Sequence, residues 1–402
     1  MRLKCVSNAV RTFLCACAIV FVVASSSLAQ QYQQTNLDSD IAGLARNPQG
    51  PDVLLCNPWG IAAGPGSPIW VANNNSGTST LYDVAGNLKS LMVKIPPTTV
   101  FKTKCSDSSP NSTPTGAVFT GASGFKIPGT NPAQAALFTF VTEDGTISAW
   151  NPANGNNATQ ILDNSNVGPG AVYKGATIAA NGTQMLLYVT NFRAGTIETY
   201  DTNFNPVHLD ADGDDDGDGA FRDGAIPRGF APFNVQAVNG NLYVTYAKQN
   251  ADKHDDFDAP GLGFVDKFSP AGKLLQRLQP GPWLDAPWGV ALAPAASTTP
   301  NFGFYSGHLL IGNAGSGQIA VYDANSGRFD GLLRDQSGHA LQNQRLWALY
   351  FSDGVARAGA PPTQGPPNTL FFTAGVNDEA DGLFGIITPA DSAKPEQDRD
   401  DH

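Results

Sequence analysis

One two-part phrase returns six times along this chain and narrows the folds open to it. Its first half is a short apolar segment, usually entered through Pro or an aromatic residue. It reads Pro58-Trp59-Gly60-Ile61-Ala62, Pro114-Thr115-Gly116-Ala117-Val118 and Tyr173-Lys174-Gly175-Ala176-Thr177. It returns as Pro232-Phe233-Asn234-Val235-Gln236, Pro287-Trp288-Gly289-Val290-Ala291 and Leu346-Trp347-Ala348-Leu349-Tyr350. The central residues 60, 116, 175, 234, 289 and 348 are spaced by 56, 59, 59, 55 and 59. A hairpin follows each time, as in Leu186 to Asp201. A near-constant period, alternating strand patterns and Gly/Asn turns together predict an all-β, six-bladed β-propeller.

Each period holds four strand-like runs, one four-stranded blade; in the third they are 174–179, 185–190, 195–201 and 205–209. A lone blade is apolar on both faces, so six in a ring bury one another. The sixth period supplies runs near 346–351, 369–374 and 382–388 and then turns polar. Its missing fourth strand is expected from the other terminus, in the run Gln31 to Leu37. That pairing would close the ring and cover two sheet edges. The propeller then spans 30–389, with a polar tail at 390–402.

Residues 1–29 read as a signal peptide. Arg2, Lys4 and Arg11 make a basic start, Phe13 to Ala24 is apolar, and Ser27-Leu28-Ala29 fits small-x-small cleavage. The expectation is a monomeric protein, secreted or periplasmic, cleaved after Ala29. Losing three cations takes the formal charge from −11 to −14. Such a surface repels phosphates and anionic headgroups, which argues against nucleic-acid and membrane partners. Cys56 and Cys105 are the two cysteines left in an oxidising compartment, and a disulfide between them is expected. It would be worth about 4 kcal/mol in the chain-entropy account.

In a propeller the turn between a blade's second and third strands shares a face with the link into the next blade. Three acidic segments map to that face: Asp210 to Asp218, Lys248 to Asp258, and Asn377 to Gly382. They suit either a charged rim or a binding face for a protein, glycan or small molecule. The run 212–223 has calcium-loop spacing. Asp212, Asp214 and Asp216 stand at positions one, three and five, Gly217 at the turn, Asp218 at seven and Asp223 at twelve. Gly219 and the Asp in place of Glu at twelve depart from the pattern. Ca2+ and a solvated loop both remain open. At the second-strand ends Asn73, Glu143, Asn191 and Asn313 could ligate a divalent ion at the channel mouth, although Asn there also caps turns.

The five histidines fall at non-equivalent repeat positions. Only His254, beside Asp255 and Asp256, has neighbours that could orient it or raise its pKa, which makes these three the candidate catalytic set. No Gly-x-Ser-x-Gly elbow, phosphate loop, His-Glu-x-x-His or paired Cys-x-x-Cys occurs. Nucleophilic hydrolysis, nucleotide binding and structural zinc lose support accordingly.

The runs Pro58 to Ala62, Thr142 to Trp150, Tyr243 to Asp256 and Phe372 to Gly385 resemble an uncharacterised family of secreted bacterial propeller proteins. The resemblance covers about residues 31–388 and implies no catalytic residue. More distantly, the Pro-Trp-Gly phrase followed by a hairpin is similar to NHL-repeat propellers, a group that includes binding scaffolds and a zinc lyase. Two functions stay open. One is a binding or scaffold module using the acidic face. The other is a divalent-metal-dependent hydrolase or lyase with its site at the mouth of the central channel.

Calcium binding by 212–223 is directly testable. A native-state ligand at a hundredfold excess over Kd adds about 2.7 kcal/mol, a rise of a few degrees in Tm for a domain of this size. Asp214→Ala should abolish the rise, and magnesium should substitute poorly. Equal shifts with both ions would assign the effect to screening of net charge.

Overall fold

The computed structural model describes residues 31–98, 105, 112–121, 123–129, 134–210, 219–356 and 360–390. Six sheets stand in sequence order around one axis, each a meander of antiparallel strands. Blade one is Pro58–Ala62, Ile69–Asn73, Thr78–Tyr82 and Val93–Lys94. Blade two is Pro114–Phe119, Phe138–Thr142, Thr146–Trp150 and Thr159–Asp163, with a small hairpin, Lys126–Ile127 and Gln134–Ala135, beside it. Blade four runs from Phe230–Val238 to Leu274–Arg277, and blade five from Pro287–Leu292 to Phe329–Leu332. In blade six, Tyr32–Ser39 pairs antiparallel along Leu383–Pro389, from Tyr32 opposite Pro389 to Ser39 opposite Leu383. Tyr32 is fully buried there, and its hydroxyl donates to the Phe302 carbonyl at 3.0 Å.

Blade three differs from the expected four strands. Its sheet stops at Tyr173–Asn181, Gln184–Asn191 and Thr196–Tyr200. The run 205–209 keeps a single bridge, Tyr200 to Pro206, and a hydrogen bond from the Val207 amide to the Thr199 carbonyl. Pro206 has no N–H to continue the ladder, and the segment leaves the sheet. The two proposed termini, 1–29 and most of 390–402, lie outside the described residues.

The repeated phrase is the first, innermost strand of every blade, and it carries a bulge. Register shifts fall at Pro58/Ile61, Pro114/Gly116, Tyr173/Gly175, Pro232/Asn234, Pro287/Gly289 and Leu346/Leu349. A bulge inserts extra residue and re-aims its side chain. The second residue of the phrase stands there in each blade: Trp59, Thr115, Lys174, Phe233, Trp288 and Trp347. Proline suits the first position because each innermost strand is a sheet edge, where one N–H has no ladder partner to lose.

Glycine at the phrase's centre is set by the neighbouring blade. A Cβ on Gly60 would lie 2.5 Å from the Thr115 carbonyl oxygen, and one on Gly289 2.5 Å from that of Trp347. Blade-to-blade hydrogen bonds reinforce this approach. Asn234 Nδ2 donates to the Trp288 carbonyl at 2.8 Å, Thr115 Oγ1 to that of Tyr173 at 2.8 Å, and Thr373 Oγ1 to that of Trp59 at 2.6 Å. Gly289→Ala should therefore destabilise the ring by about 1–3 kcal/mol, the usual range for overpacking a rigid contact. Chemical denaturation would show it; a variant as stable as the parent would mean the blades can move apart at no cost.

Candidate functional site at the channel mouth

The bulged residues fill the axis. Trp59 stacks on Trp347 with ring centroids 3.5 Å apart, and Trp288 meets Trp59 edge-on at 5.9 Å. Phe233 packs against Trp347 at 6.2 Å and against Phe192 at 5.2 Å. All are buried. Aromatic rings in these offset and edge-on arrangements make a dense plug across the channel.

Lys174 stands among them. Its side chain is 1 % exposed, with Nζ 5.1 Å from the Trp59 ring centroid and 5.9 Å from that of Phe192. The ammonium donates to Glu143, and to Asp255 at 3.1 Å. Burial by itself would lower the pKa of this amine. Glu143 and Asp255 outweigh that and hold it above the ordinary lysine value. The pair of carboxylates thus favours the ammonium form of Lys174.

Three turns deliver the rest of the mouth. Glu143 follows the second strand of blade two, and its other oxygen accepts from Asn74 Nδ2 at 2.8 Å. The long turn of blade four carries His254, Asp255, Asp256 and Asp258. His254 Nδ1 lies 2.8 Å from Asp255 Oδ1. That bond raises the imidazole pKa, while His254 and Lys174 pull Asp255 well below the carboxylate range against its burial. The turn of blade six places Asn377, Asp378 and Glu379 consecutively at positive φ, 54°, 53° and 66°. Left-handed backbone costs roughly 1–2 kcal/mol per non-glycine residue. Bonds from the Asn377 amide to Gln344 Oε1 and from Asn377 Nδ2 to Asp381 Oδ2, both 2.8 Å, hold the turn in that shape. Glu379 is thereby aimed at Arg345, 3.2 Å away, and accepts from Asn57 Nδ2 at 2.9 Å.

Arg345 is the second internal cation. It also reaches Asp256 at 3.1 Å and Asp258 at 3.7 Å. Burial pushes Glu379 up to about 7, against the pull of Arg345. Asp285 forms no direct ion pair among the described residues; the Ala259 amide and the more distant Arg345 offset only part of its burial. It is 6 % exposed, its Oδ1 accepts no hydrogen bond from a described residue, and burial with Asp258 and Asp256 nearby raises it to about 6.

The expected site residues separate into groups. Glu143, His254 and Asp255 are brought together, with one ligand atom from each within 4.8 Å of the others. The Lys174 ammonium already uses carboxylate oxygens of that set, as a resident cation. Asn73, Asn191 and Asn313 spend their amides within their own blades. Asn73 Nδ2 donates to Thr80 Oγ1 at 2.8 Å and Asn191 Nδ2 to Glu198 at 2.7 Å. Asn313 Oδ1 accepts from the Asp285 amide at 2.9 Å. Asp212, Asp214, Asp216 and Asp218 lie outside the described residues. Asp223 is ion-paired with Arg277, which also reaches Asp266 at 3.2 Å. Cys56 and Cys105 form a disulfide with Cα atoms 6.3 Å apart.

Three members of the mouth were not singled out from sequence, Lys174, Asp285 and Arg345, and Glu379 was expected only as part of the acidic turn 377–382. Lys174 carried a usable signal, since it is the one charged residue at the second position of the six phrases.

No protein-family model matches the chain. Uncharacterized protein L690 of Acanthamoeba polyphaga mimivirus is 30% identical over 342 residues, covering 84% of this chain and 81% of that protein. This chain belongs to the family of that protein. Uncharacterized protein R648 of the same virus is 29% identical over 344 residues, covering 84% and 76%. These relatives are viral, whereas the sequence motifs had suggested a bacterial family. Virginiamycin B lyase from Staphylococcus aureus covers 90% of this chain and all of its own at 10% identity, with a TM-score of 0.45. A protein of unknown function from Bacteroides thetaiotaomicron covers 89% and 76% at 11% identity, with a TM-score of 0.49. At these values neither structure bears on what this chain does.

Asp285 gives a pH test. Asp285 has a folded pKa of about 6 against an ordinary 3.8. Its contribution to stability is present below pH ~4 and is lost as pH rises through about 6, where the folded state must carry a buried charge that its neighbours only partly offset. Asp285→Asn should raise Tm at pH 8 and leave it unchanged at pH 4. Equal shifts at both pH values would show that Asp285 does not titrate in this window.

Proposed function

We propose that this protein is a binding module whose channel mouth receives a cationic group of a partner. The observation that carries the reading is a surplus of carboxylates. Glu143, Asp255, Asp256, Asp258, Asp285 and Glu379 gather around two fixed cations, Lys174 and Arg345. Asp255 and Asp258 are the most open, with side chains 57 % and 39 % exposed. Negative charge concentrated at a rigid mouth favours cationic ligands and speeds their approach. A protein partner presenting Lys or Arg meets this chemistry best. The disulfide supports an exported, oxidising setting for the encounter. Ca2+ at 212–223 would add to the same acidic face.

The metal-assisted alternative would need an ion to displace Lys174 from Glu143 and Asp255. A divalent ion recovered with the purified protein and lost in His254→Ala would favour it.

Fluorescence anisotropy with a labelled Lys/Arg-rich peptide tests the proposal, with a Glu-rich peptide as control. The basic peptide should bind, and more weakly as salt rises. Asp255→Asn with Asp258→Asn should weaken it at least tenfold. Indistinguishable binding of the two peptides, or a double variant that binds like the parent, would refute the proposal.

A further inference from the structure

The aromatic plug divides the channel, and its two ends are chemically opposite. The first strand of each blade starts at the charged mouth and runs toward the other face. There the later halves of these strands enclose a cavity of about 490 Å³. Trp288 belongs both to the plug and to the cavity lining, so the cavity ends blindly against the plug. None of its lining residues is Asp, Glu, Lys, Arg or His, in a chain with 35 acidic residues. Ile61, Phe119, Ile178, Val238 and Leu292 line it while remaining only partly buried.

The wall is not purely apolar. Every first strand is an edge of its sheet, so backbone N–H and C=O groups without a ladder partner face the axis. The neutral amides of Gln236 and Asn239 also lie in the lining. A blind cavity of several hundred Å³ with an apolar wall and a few neutral polar groups is the usual form of a small-molecule site. The missing charges are equally informative. An ionic ligand would lose its hydration here and find no counter-charge.

We propose that this cavity, on the face opposite the mouth, binds a neutral small molecule with an apolar body and hydroxyl, arylamine or amide hydrogen-bonding groups. The site is separate from the acidic mouth and does not depend on what binds there. Its blind end and size suit a small molecule rather than a protein segment crossing the ring.

N-phenyl-1-naphthylamine, a neutral fluorophore with one N–H donor, is a suitable probe. Titration into the folded protein should give saturable fluorescence enhancement at one site per chain. The anionic 8-anilinonaphthalene-1-sulfonate should bind at least tenfold more weakly, for want of a cation in the wall. Ala237→Trp should fill the cavity from blade four and weaken the neutral probe at least tenfold. Ala63→Phe does so from blade one, across the ring, and serves if the first variant melts abnormally. Asp255→Asn, at the mouth, should leave probe binding unchanged. Three results would overturn the proposal: no saturable enhancement, equal binding of the two probes, or full binding by a normally folded cavity-filling variant.

Discussion

Six sheet edges converge on one axis, and the bulge in each innermost strand decides what fills the space between them. Without it, the phrase would continue a regular pleat and present no side chain to the centre. With it, Trp59, Phe233, Trp288 and Trp347 meet as a plug, and Gly60 and Gly289 let adjacent backbones approach within contact distance. The two effects depend on each other. Glycine allows the approach, and the approach brings the rings within stacking range.

Lys174 makes that plug an electrostatic object as well. An ammonium buried beside aromatic faces is stabilised by the ring quadrupoles, yet it still needs counter-charge. Glu143 and Asp255 supply it from two other blades. The cation thereby ties the turns of blades two and four to the axis of blade three. Arg345 repeats the device with Asp256, Asp258 and Glu379, joining the turn of blade four to the start and turn of blade six. Carboxylates still exceed cations, and burial leaves Asp285 and Glu379 above their ordinary range. A mouth built this way is organised by its own cations and keeps an excess of carboxylates.

The same plug explains how one channel has two characters. Charged residues sit on turns at the mouth, where water can reach them. The far half is walled by strands whose side chains are chosen for packing between blades, and charge is excluded from it. Blade three shows what happens where the pattern weakens. After Phe204 the chain meets Pro206, cannot extend the ladder, and leaves a three-stranded sheet.

Much of the fold was legible because it rests on local chemistry repeated at a fixed interval. The phrase at 60, 116, 175, 234, 289 and 348, the Gly/Asn turns and the unpaired strand near Tyr32 all follow from strand periodicity and from the need to bury both faces of a sheet. The common face of Glu143, the 254–258 turn and Glu379 was also readable, because antiparallel order alone puts those turns on one side. The partners were not. Glu143 and Lys174 are separated by 31 residues, Lys174 and Asp255 by 81, and Arg345 and Asp256 by 89. Such pairs leave no periodic trace, since their distance depends on how the ring turns each blade toward the axis. By itself the sequence determined six blades, their order and the side on which Glu143, the 254–258 turn and Glu379 emerge. Only the tertiary structure decided which carboxylates make a direct ion pair with an internal cation and which, like Asp285, feel one only at longer range, because electrostatic energy depends on distance and burial in space rather than on position along the chain.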